Sequence, residues 1–287
     1  MPKIPIRNIA KKIKAPEYSG SFMIRDISKM FSGKDMVQDL HRHDFYLLFV
    51  FEKGKGEHII DFIPYSIDDR SVFFMRPGQV HQLKLNKTSK GFLIQFDRGF
   101  YSPNGISSIN IFRKVSNKNH CELNSASFTK LTPIVNNIFE EYKDQQENFS
   151  EFIKSSLDLL FIELARQSKE PEKSEKASDG YAQTQLERFL EILQENFTTK
   201  KQVDDYAKMM HLSTYQMNAI TKSTLGKNCS DLINDQIILE AKRELLATST
   251  QVNQIADELG YEDVSYFIRF FRKNTGYTPE AFRKNFK

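Results

Sequence analysis

The sequence predicts a multidomain α+β protein. An N-terminal β-barrel with two following helices precedes a C-terminal all-α domain of two helix-turn-helix units joined by a long helix. Three observations predict this: short strand-like runs from Phe22 to about Phe96, helical periodicity from Phe128, and a helix-turn-helix pattern that occurs twice after residue 181. Because 287 residues suffice for two domains, we expect domains at 1–167 and 181–287, with a linker at 168–180.

The barrel is predicted from short apolar runs that turns interrupt. Phe45–Phe51 reads FYLLFVF, which has the length and composition of a buried strand. Four further strands are predicted at His58–Ile63, Ser71–Met75, His81–Leu85 and Phe92–Phe96. The glycines of Lys53–Gly56 predict a hairpin turn. Repeated strands at this spacing favour a sandwich or barrel.

Two amphipathic helices are predicted after the barrel. The first apolar stripe comprises Phe128, Leu131, Val135, Ile138 and Tyr142, and the second comprises Phe149, Ile153, Leu157, Leu160 and Leu164. Pro133 would kink the first helix unless the helix begins near Thr132. Both stripes must be buried, so the two helices pack on the barrel, form a homodimer seam, or do both. We therefore expect dimerisation through Ile153, Leu157, Leu160 and Leu164.

A polar segment separates the two predicted domains. Residues 167–180 read QSKEPEKSEKASDG and contain no large apolar side chain. Such a segment cannot bury a core of its own, which is typical of a solvated linker.

Two segments of the C-terminal part resemble each other, namely Val203–Ser213 and Val252–Glu262. Each has an alanine, Ala207 or Ala256, that lets two helices approach closely. Gly260 suits the left-handed turn between helices, and His211 takes its place in the first unit. Ser213 in the first unit, and Glu262 or Asp263 in the second, can cap the following helix. Between the units, a single long helix is predicted from the stripe Leu232, Ile233, Ile237, Ala241 and Leu245.

The segment from Ile255 to Arg283 reads IADELGYEDVSYFIRFFRKNTGYTPEAFR. It resembles the signature of AraC/XylS-type transcription regulators, and the resemblance covers residues 182–286. The resemblance implies a sequence-specific DNA-binding regulator that is dimeric and responds to an effector. It also implies that the protein binds promoter DNA, contacts RNA polymerase and activates transcription. It also implies that the second helix of each unit enters the major groove in successive segments.

These recognition helices are predicted at about Ser213–Thr224 and Asp263–Thr275. Arginine reads guanine best and asparagine reads adenine, whereas Lys222, Arg272 and Lys273 lie later in their helices and suit phosphate contact. The first unit has Ala219 where the second has Arg269. The predicted DNA-binding residues are Thr214, Tyr215, Asn218, Lys222, Val264, Ser265, Ile268, Arg269, Arg272 and Lys273.

Charge supports this assignment only at fine scale. The chain has a net charge of +4, which alone says little. From Val264 to Lys287, however, there are six basic residues and one acid, Glu280. Basic residues are thus sorted onto particular elements, as nucleic-acid binding requires.

Three N-terminal motifs, HRHDF from His41, GKG from Gly54 and RPGQVH from Arg76, resemble the cupin-type sensor barrel that precedes many AraC-type DNA-binding domains. The resemblance implies a small-molecule effector pocket, and we assign His43, Phe45 and His81 to it. Metal-binding cupins add a carboxylate four or five residues after the second histidine, where this chain has Leu47 and Leu48. We therefore predict no metal and no cofactor.

Two alternatives remain open. A barrel filled by Phe45, Phe49 and Phe51 would bind no ligand and serve only dimerisation or partner docking. A metal-dependent cupin enzyme fused to a DNA-binding module is the other.

Other functional classes are disfavoured. No nucleophile–histidine set or phosphate loop stands out, and Cys121 and Cys229 suit packing, so we expect no enzyme. The longest stretch without charged residues has 14 residues, Gly99–Phe112, which is too short to span a membrane. The basic N-terminus lacks an apolar core, so we expect a cytoplasmic protein without membrane contact.

Overall fold

A computed structural model describes residues 6–7, 21–167 and 177–286. The chain divides into two compact units, residues 5–170 and residues 171–287. Among the described residues, no helix combines the length and the apolar character needed to cross a bilayer.

The first unit contains two sheets and three α-helices in its described part. Its strands are β1 (Ile6–Arg7), β2 (Phe22–Asp26), β3 (Met36–His43), β4 (Tyr46–Lys53), β5 (Gly56–Ile60), β6 (Ile63–Ile67), β7 (Ser71–Met75), β8 (Val80–Leu85), β9 (Lys90–Phe96) and β10 (His120–Glu122). Its helices are α1 (Ile106–Ser116), α2 (Ser125–Asp144) and α3 (Phe149–Arg166). The strand order is β1-β3-β8-β5-β6 in sheet one and β10-β7-β4-β9-β2 in sheet two.

Strand β4 explains the uninterrupted apolar run of the sequence. Phe49 and Phe51 face the interior between the two sheets, where they join Leu83 and Leu85 of sheet one. The alternate residues of β4 face the other way and pack with the helices. A strand that is buried on both faces has no polar side to show, so its sequence does not alternate.

The hairpin turn predicted at Lys53–Gly56 is wrong. Strand β4 ends at Lys53 in sheet two, whereas β5 begins at Gly56 in sheet one. The segment therefore carries the chain from one sheet to the other. Gly56 is required there, because a Cβ atom at this position would lie 2.1 Å from the carbonyl oxygen of Lys84.

The single strand predicted at His58–Ile63 is instead a hairpin. Strands β5 and β6 pair in antiparallel fashion, with Ile60 opposite Ile63. The two residues between them, Asp61 and Phe62, have φ angles of 46° and 69°. Two positive φ angles are what a tight two-residue hairpin needs. Aspartate favours such a turn, but phenylalanine at the second position does not signal it.

The dimer seam predicted on α3 is corrected by the structure. Ile153, Leu157 and Leu160 are 0% exposed within one chain, and Leu164 is 5% exposed. All four pack in a core with α1, α2 and the outer face of sheet two. They stabilise the unit from inside and are not available to a second chain. The outward face of α3 carries other apolar residues, Phe152 and Leu159, which are 45% and 55% exposed.

Helix α2 runs through Pro133 without ending. Next to the proline, the hydroxyl of Thr132 donates to the carbonyl oxygen of Phe128 at 2.8 Å. The predicted stripe is confirmed in part, since Leu131, Val135 and Ile138 are buried, while Phe128 and Tyr142 are partly buried against the same core.

The second unit is helical throughout its described part, as predicted. Its helices are α4 (Ala177–Asn196), α5 (Val203–Met210), α6 (Thr214–Leu225), α7 (Cys229–Ala247), α8 (Val252–Glu258), α9 (Val264–Thr275) and α10 (Pro279–Phe286). The last four residues of the predicted linker, 177–180, belong to α4, and residues 168–176 lie outside the described residues.

The two helix-turn-helix units have the same turn. His211 and Gly260 adopt the predicted left-handed conformation, with φ angles of 54° and 73°. In each unit the next amide donates to the carbonyl oxygen of the paired alanine, Leu212 to Ala207 and Tyr261 to Ala256. These bonds satisfy carbonyls that a helix end leaves free, so the internal repeat is structural as well as sequential.

The long connecting helix is also confirmed. Four residues of the predicted stripe in α7, namely Ile233, Ile237, Ala241 and Leu245, are at most 1% exposed. Helix α7 contacts α4, α5 and α6 on one side of the sequence and α8 and α10 on the other. It therefore forms the shared core of both helix-turn-helix units.

Candidate functional site

Helix α6 is the second helix of the first helix-turn-helix unit, predicted as a recognition helix, and it begins with a complete capping box. The hydroxyl of Ser213 accepts from the amide of Gln216 at 3.2 Å, and the Gln216 side chain accepts from the Ser213 amide at 2.8 Å. Such reciprocal bonds fix where a helix starts. Immediately beyond them, Thr214 and Tyr215 are exposed, and the Tyr215 side chain is 83% exposed.

Helix α9 is the second helix of the second helix-turn-helix unit and is the other predicted recognition helix. Its inward residues Phe267 and Phe271 are fully buried. Its outward face presents four exposed polar side chains, Ser265, Arg269, Arg272 and Lys273, while Val264 and Ile268 are half-buried. The face opposite the aromatic core is therefore cationic.

Arg269 extends from the first half of α9 into solvent. Its guanidinium lies 4.0 Å from the carboxylate of Asp263, and the two side chains are 71% and 64% exposed. An ion pair at that separation and exposure holds the arginine weakly. Asp263 is also committed to the helix start, where it accepts from the Ser265 amide at 2.7 Å. The guanidinium fork can thus turn toward a ligand.

Asn218 is not available to bases in the same way. Its Nδ2 donates to the Thr214 carbonyl oxygen at 3.0 Å, and its Oδ1 accepts from the Cys229 amide at 3.0 Å. The second bond satisfies one of the free amides at the start of α7. Asn218 therefore joins α6 to α7, and we leave it out of the proposed base contacts.

Arg283 is likewise structural. Its Nε donates to the Leu245 carbonyl oxygen at 2.9 Å and its guanidinium also donates to the Thr250 carbonyl oxygen. These bonds join α10 to the end of α7 and to the segment before α8. Of the basic residues between Val264 and Lys287, the exposed ones on α9 are thus the better candidates for DNA contact.

A second polar cluster lies inside the first unit, where four histidines face the space between the sheets. His41 and His43 are on β3, His58 is on β5 and His81 is on β8, and all four are at most 7% exposed. These three strands are neighbours in sheet one. His41 is directly opposite His81 across the β3–β8 ladder, which puts their side chains on one face.

A β-bulge directs two of these histidines inward. Gln38 pairs with Leu83 and His41 pairs with His81, so β3 uses three residues where β8 uses two. The extra residue exchanges the two faces of the strand. Without the bulge, Leu40 and Arg42 would share the face of His81, and His41 and His43 would point away.

The histidine rings form a hydrogen-bonded chain. His43 Nε2 lies 2.8 Å from His81 Nε2, and His81 Nδ1 lies 2.8 Å from His58 Nε2. His41 Nδ1 donates to the Asp39 carbonyl oxygen at 2.7 Å. Burial, reinforced by the neighbouring imidazoles His41, His120 and His43, lowers the pKa of His58 to about 3. His58 is therefore a neutral imidazole.

The rest of the interior between the sheets is packed. Phe45, Phe49, Phe51 and Phe73 are at most 2% exposed, and the Phe45 ring lies 4.4 Å from that of His43. A cavity of about 220 Å³ lies elsewhere, between sheet two and α2, and its lining includes Glu52, Lys90 and Asn136. The predicted ligand residues His43, Phe45 and His81 do lie together, but within the packed interior and not around that cavity.

Comparisons with known proteins assign both units. Residues 26–108 match the model of the AraC-like ligand-binding domain, and residues 206–285 match a helix-turn-helix domain. The chain is 24% identical over 253 residues to the transcriptional activator RhaS of Pectobacterium carotovorum, covering 85% of this chain and 86% of the relative. It is 22% identical to the activator RhaR of Yersinia pestis, covering 86% and 84%. The chain belongs to the AraC family of transcription regulators.

Among solved structures, fatty-acid-bound ToxT from Vibrio cholerae is 15% identical and has a TM-score of 0.41, covering 94% of this chain and 97% of that one. As an AraC-type regulator, the chain binds DNA through its helix-turn-helix domain.

Two features of this AraC-type regulator were missed from the sequence. The first is His58, which shares the inward phase of Ile60 in β5. The alternation of Gly56–Ile60 could have identified it. The second is the bulge in β3, for which the run Asp39–Leu40–His41 carries no recognisable signal.

Proposed function

We propose that this AraC-type regulator reads promoter DNA with α6 and α9 in two successive major-groove segments. Such segments would lie about 34 Å apart, one helical turn. The observation that carries the proposal is that each of the two helices has an exposed polar face opposite its buried face. Arg269 lies on the exposed face in the first half of α9, where only a weak ion pair with Asp263 holds it. Residues 171–287 would form the DNA-binding domain.

We propose that the two helices contact the DNA bases with different chemistry. Arg269 can form two parallel hydrogen bonds with a guanine. Its counterpart Ala219 is exposed but offers only a methyl group, which suits the thymine methyl. Thr214, Tyr215, Ser265 and the half-buried Val264 and Ile268 lie near the helix starts and would complete the base-facing surface. Lys222, Arg272 and Lys273 would contact phosphates.

The test is a base-by-base binding scan of a target promoter with full-length variants. Arg269→Ala should weaken binding about tenfold or more and relax the preference in one segment only, since a bidentate guanine contact contributes about 1–3 kcal/mol. Lys222→Ala and Lys273→Ala serve as controls. Each should weaken all sequences alike and lower the salt slope by about one. A uniform loss for Arg269→Ala on specific and random DNA would make it a phosphate contact.

We further propose that residues 5–170 serve as sensor and dimerisation domain of a cytoplasmic homodimer that activates transcription by contacting RNA polymerase. The outward apolar face of α3, with Phe152 and Leu159, replaces the buried stripe as the proposed seam. Phe152 and Leu159 are seven residues apart, which is about two helical turns, so they lie on one face of α3. An exposed apolar face of this kind is typical of a helix that packs against a partner.

A second candidate role for the first unit is dimerisation or partner docking without an organic ligand. The packing of Phe45, Phe49, Phe51 and Phe73 favours this role over a sugar-sized cavity between the sheets. Catalysis is not part of either proposal, because the relatives are transcription regulators.

A further inference from the structure

A contact outside α7 also joins the two helix-turn-helix units. It lies between the loop at residues 197–202, which connects α4 to α5, and the turn at residues 259–261, which connects α8 to α9. The connection through α7 is at the other end of α8, where Arg283 donates to the Thr250 carbonyl oxygen. The contact between loop and turn is made by four residues and is called the Lys201 contact: Thr198, Lys201, Gly260 and Tyr261.

The ammonium of Lys201 is at the centre of this contact. It donates to the Thr198 carbonyl oxygen at 2.7 Å and lies 4.9 Å from the centre of the Tyr261 ring. A cation at that distance from an aromatic face is attracted to it. A Cβ atom on Gly260 would lie 2.7 Å from the same ammonium. The absence of a side chain at Gly260 therefore leaves room for the lysine.

Each side of the Lys201 contact is fixed to its own helix-turn-helix unit. In the first, the hydroxyl of fully buried Tyr206 in α5 donates to the Lys200 carbonyl oxygen at 2.8 Å, and its ring packs against α4. In the second, Tyr261 is buried, and its ring lies 5.3 Å from that of Phe267 in α9. Close-packed side chains transmit displacements, so a shift of the loop would move α9.

The Lys201 ammonium is partly removed from water. The side chain is half-buried, whereas that of neighbouring Lys200 is exposed. Burial lowers the pKa of Lys201. A desolvated ammonium needs partners within the protein, and its attraction to an aromatic face is stronger than in water. The Thr198 carbonyl and the Tyr261 ring are such partners.

We propose that Lys201 is a positioning residue, which fixes the distance between α6 and α9 and thereby the spacing of the two DNA segments that the protein accepts. Helix α8 has seven residues and is thus about 10 Å long. A contact at the end of α8 remote from α7 opposes rotation of α8 and α9 about their attachment to α7. This role rests on the proposed function, in which α6 and α9 read successive major-groove segments.

The first experiment changes the distance between the two DNA segments of a target promoter. One inserted base pair moves the segments about 3.4 Å apart and rotates them by about 35°. Full-length wild-type protein must then break the Lys201 contact or give up the base contacts of one helix. It should bind the lengthened site about tenfold or more weakly than the natural site. This ratio of affinities is the spacing penalty.

Lys201→Met keeps a side chain of similar length but removes its charge and its donors. The spacing penalty should fall by about two- to fivefold, as loss of a cation–aromatic contact predicts, because the variant has no such contact to break on the lengthened site. Affinity for the natural site should change little, since wild-type protein keeps the contact there in both the free and the bound state.

Three variants serve as controls for the spacing penalty. Lys201→Arg retains a cation and Tyr261→Phe retains the ring, so both should have the wild-type penalty. Lys200→Met removes the neighbouring exposed charge. It should leave the penalty unchanged, because any loss of phosphate attraction affects both DNA sites equally.

A second measurement needs no DNA. Spin labels on Ser223→Cys in α6 and Asn274→Cys in α9 occupy exposed positions, and Cys121→Ser removes the half-buried thiol of the first unit. Dilution with unlabelled protein limits the signal to labels within one chain. The distribution of distances between the labels should be narrow in the otherwise wild-type full-length protein, and broader or shifted with Lys201→Met.

An unchanged spacing penalty or label distance in Lys201→Met, an equal fall in Lys200→Met, or wild-type protein that binds both sites equally would overturn the inference. A salt slope lowered by about one in Lys201→Met would make Lys201 a phosphate contact instead. Lys201→Gln replaces Lys201→Met if the latter does not fold. Failure of the proposed function is distinguishable, because Arg269→Ala would then keep the wild-type base preference while the label distances still test the Lys201 contact.

Discussion

Asn218 stabilises the second unit from within its recognition helix. The polar face of a helix in a DNA-binding unit includes side chains that contact the protein itself, and Asn218 uses both ends of its amide in this way. Arg269 lies one residue beyond the position in α9 that is equivalent to Asn218. Its guanidinium lies 4.0 Å from the exposed carboxylate of Asp263 and is therefore held weakly.

Asn218→Ala should lower the free energy of unfolding by about 1–3 kcal/mol, because the Cys229 amide loses its acceptor in a partly buried place. Sequence preference on promoter DNA should stay unchanged. Urea unfolding and the base scan measure the two effects.

Asn274→Ala is the control, because that amide donates only to the Phe270 carbonyl oxygen at an exposed site of α9. It should change stability by less than about 0.5 kcal/mol. If Asn218→Ala relaxes the base preference, Asn218 contacts a DNA base and its role is not only structural.

At the scale of elements, the turn between α8 and α9 is tightly constrained. Gly260 has a φ of 73°, and a Cβ atom there would lie 1.9 Å from the Thr198 carbonyl oxygen. The turn of the second helix-turn-helix unit therefore packs on the segment between α4 and α5 with no room for a side chain.

Gly260→Ala should consequently destabilise the second unit by about 1–3 kcal/mol from the left-handed backbone alone, and by more from the contact. His211→Gly, at the equivalent turn, should be neutral or stabilising, since His211 already bears the same strain with φ 54°. Thermal unfolding should show a lower melting temperature for Gly260→Ala and an unchanged or higher one for His211→Gly. A Gly260→Ala variant as stable as wild type would contradict the close approach.

Helix α3 has two apolar faces that can be told apart by mutation. Leu157→Ala should cost about 2–5 kcal/mol because it opens a cavity in the core. Leu159→Ala should cost less than about 0.5 kcal/mol in a single chain. Unfolding at low protein concentration measures both.

The same residue tests the proposed seam. Leu159→Glu should leave a folded first unit and shift the full-length protein from dimer to monomer in sedimentation. A folded dimer would refute the seam, and a monomeric wild-type protein would refute dimerisation itself.

At the scale of the molecule, the two units are expected to act as separate bodies on one chain. Residues 171–287 alone should fold and bind promoter DNA about 10²–10⁴-fold more weakly than the full-length protein, because the fragment loses the second linked binding event. Gel-shift titrations of fragment and full-length protein compare them. Equal affinities would count against dimeric binding.

The second unit was largely predictable from sequence. Its elements depend on short-range chemistry: caps at Ser213 and Asp263, a left-handed turn at Gly260, and an apolar stripe along α7. Each of these features depends on residues that are close together in the chain, so the local amino-acid sequence predicts it. The helix-turn-helix pattern occurs twice in the sequence, so each copy supports the assignment of the other.

The first unit was predictable only in outline, because its decisive features depend on which strands become neighbours. The sequence by itself determined strands, two helices and the presence of His41, His43 and His81. Tertiary structure alone decided that the Lys53–Gly56 segment changes sheets, that Ile153 and Leu157 face their own core, and that a bulge turns His41 and His43 toward His81. One extra residue exchanges the faces of a strand, and whether it is accommodated depends on the ladder of the partner strand, which lies about 40 residues away along the chain.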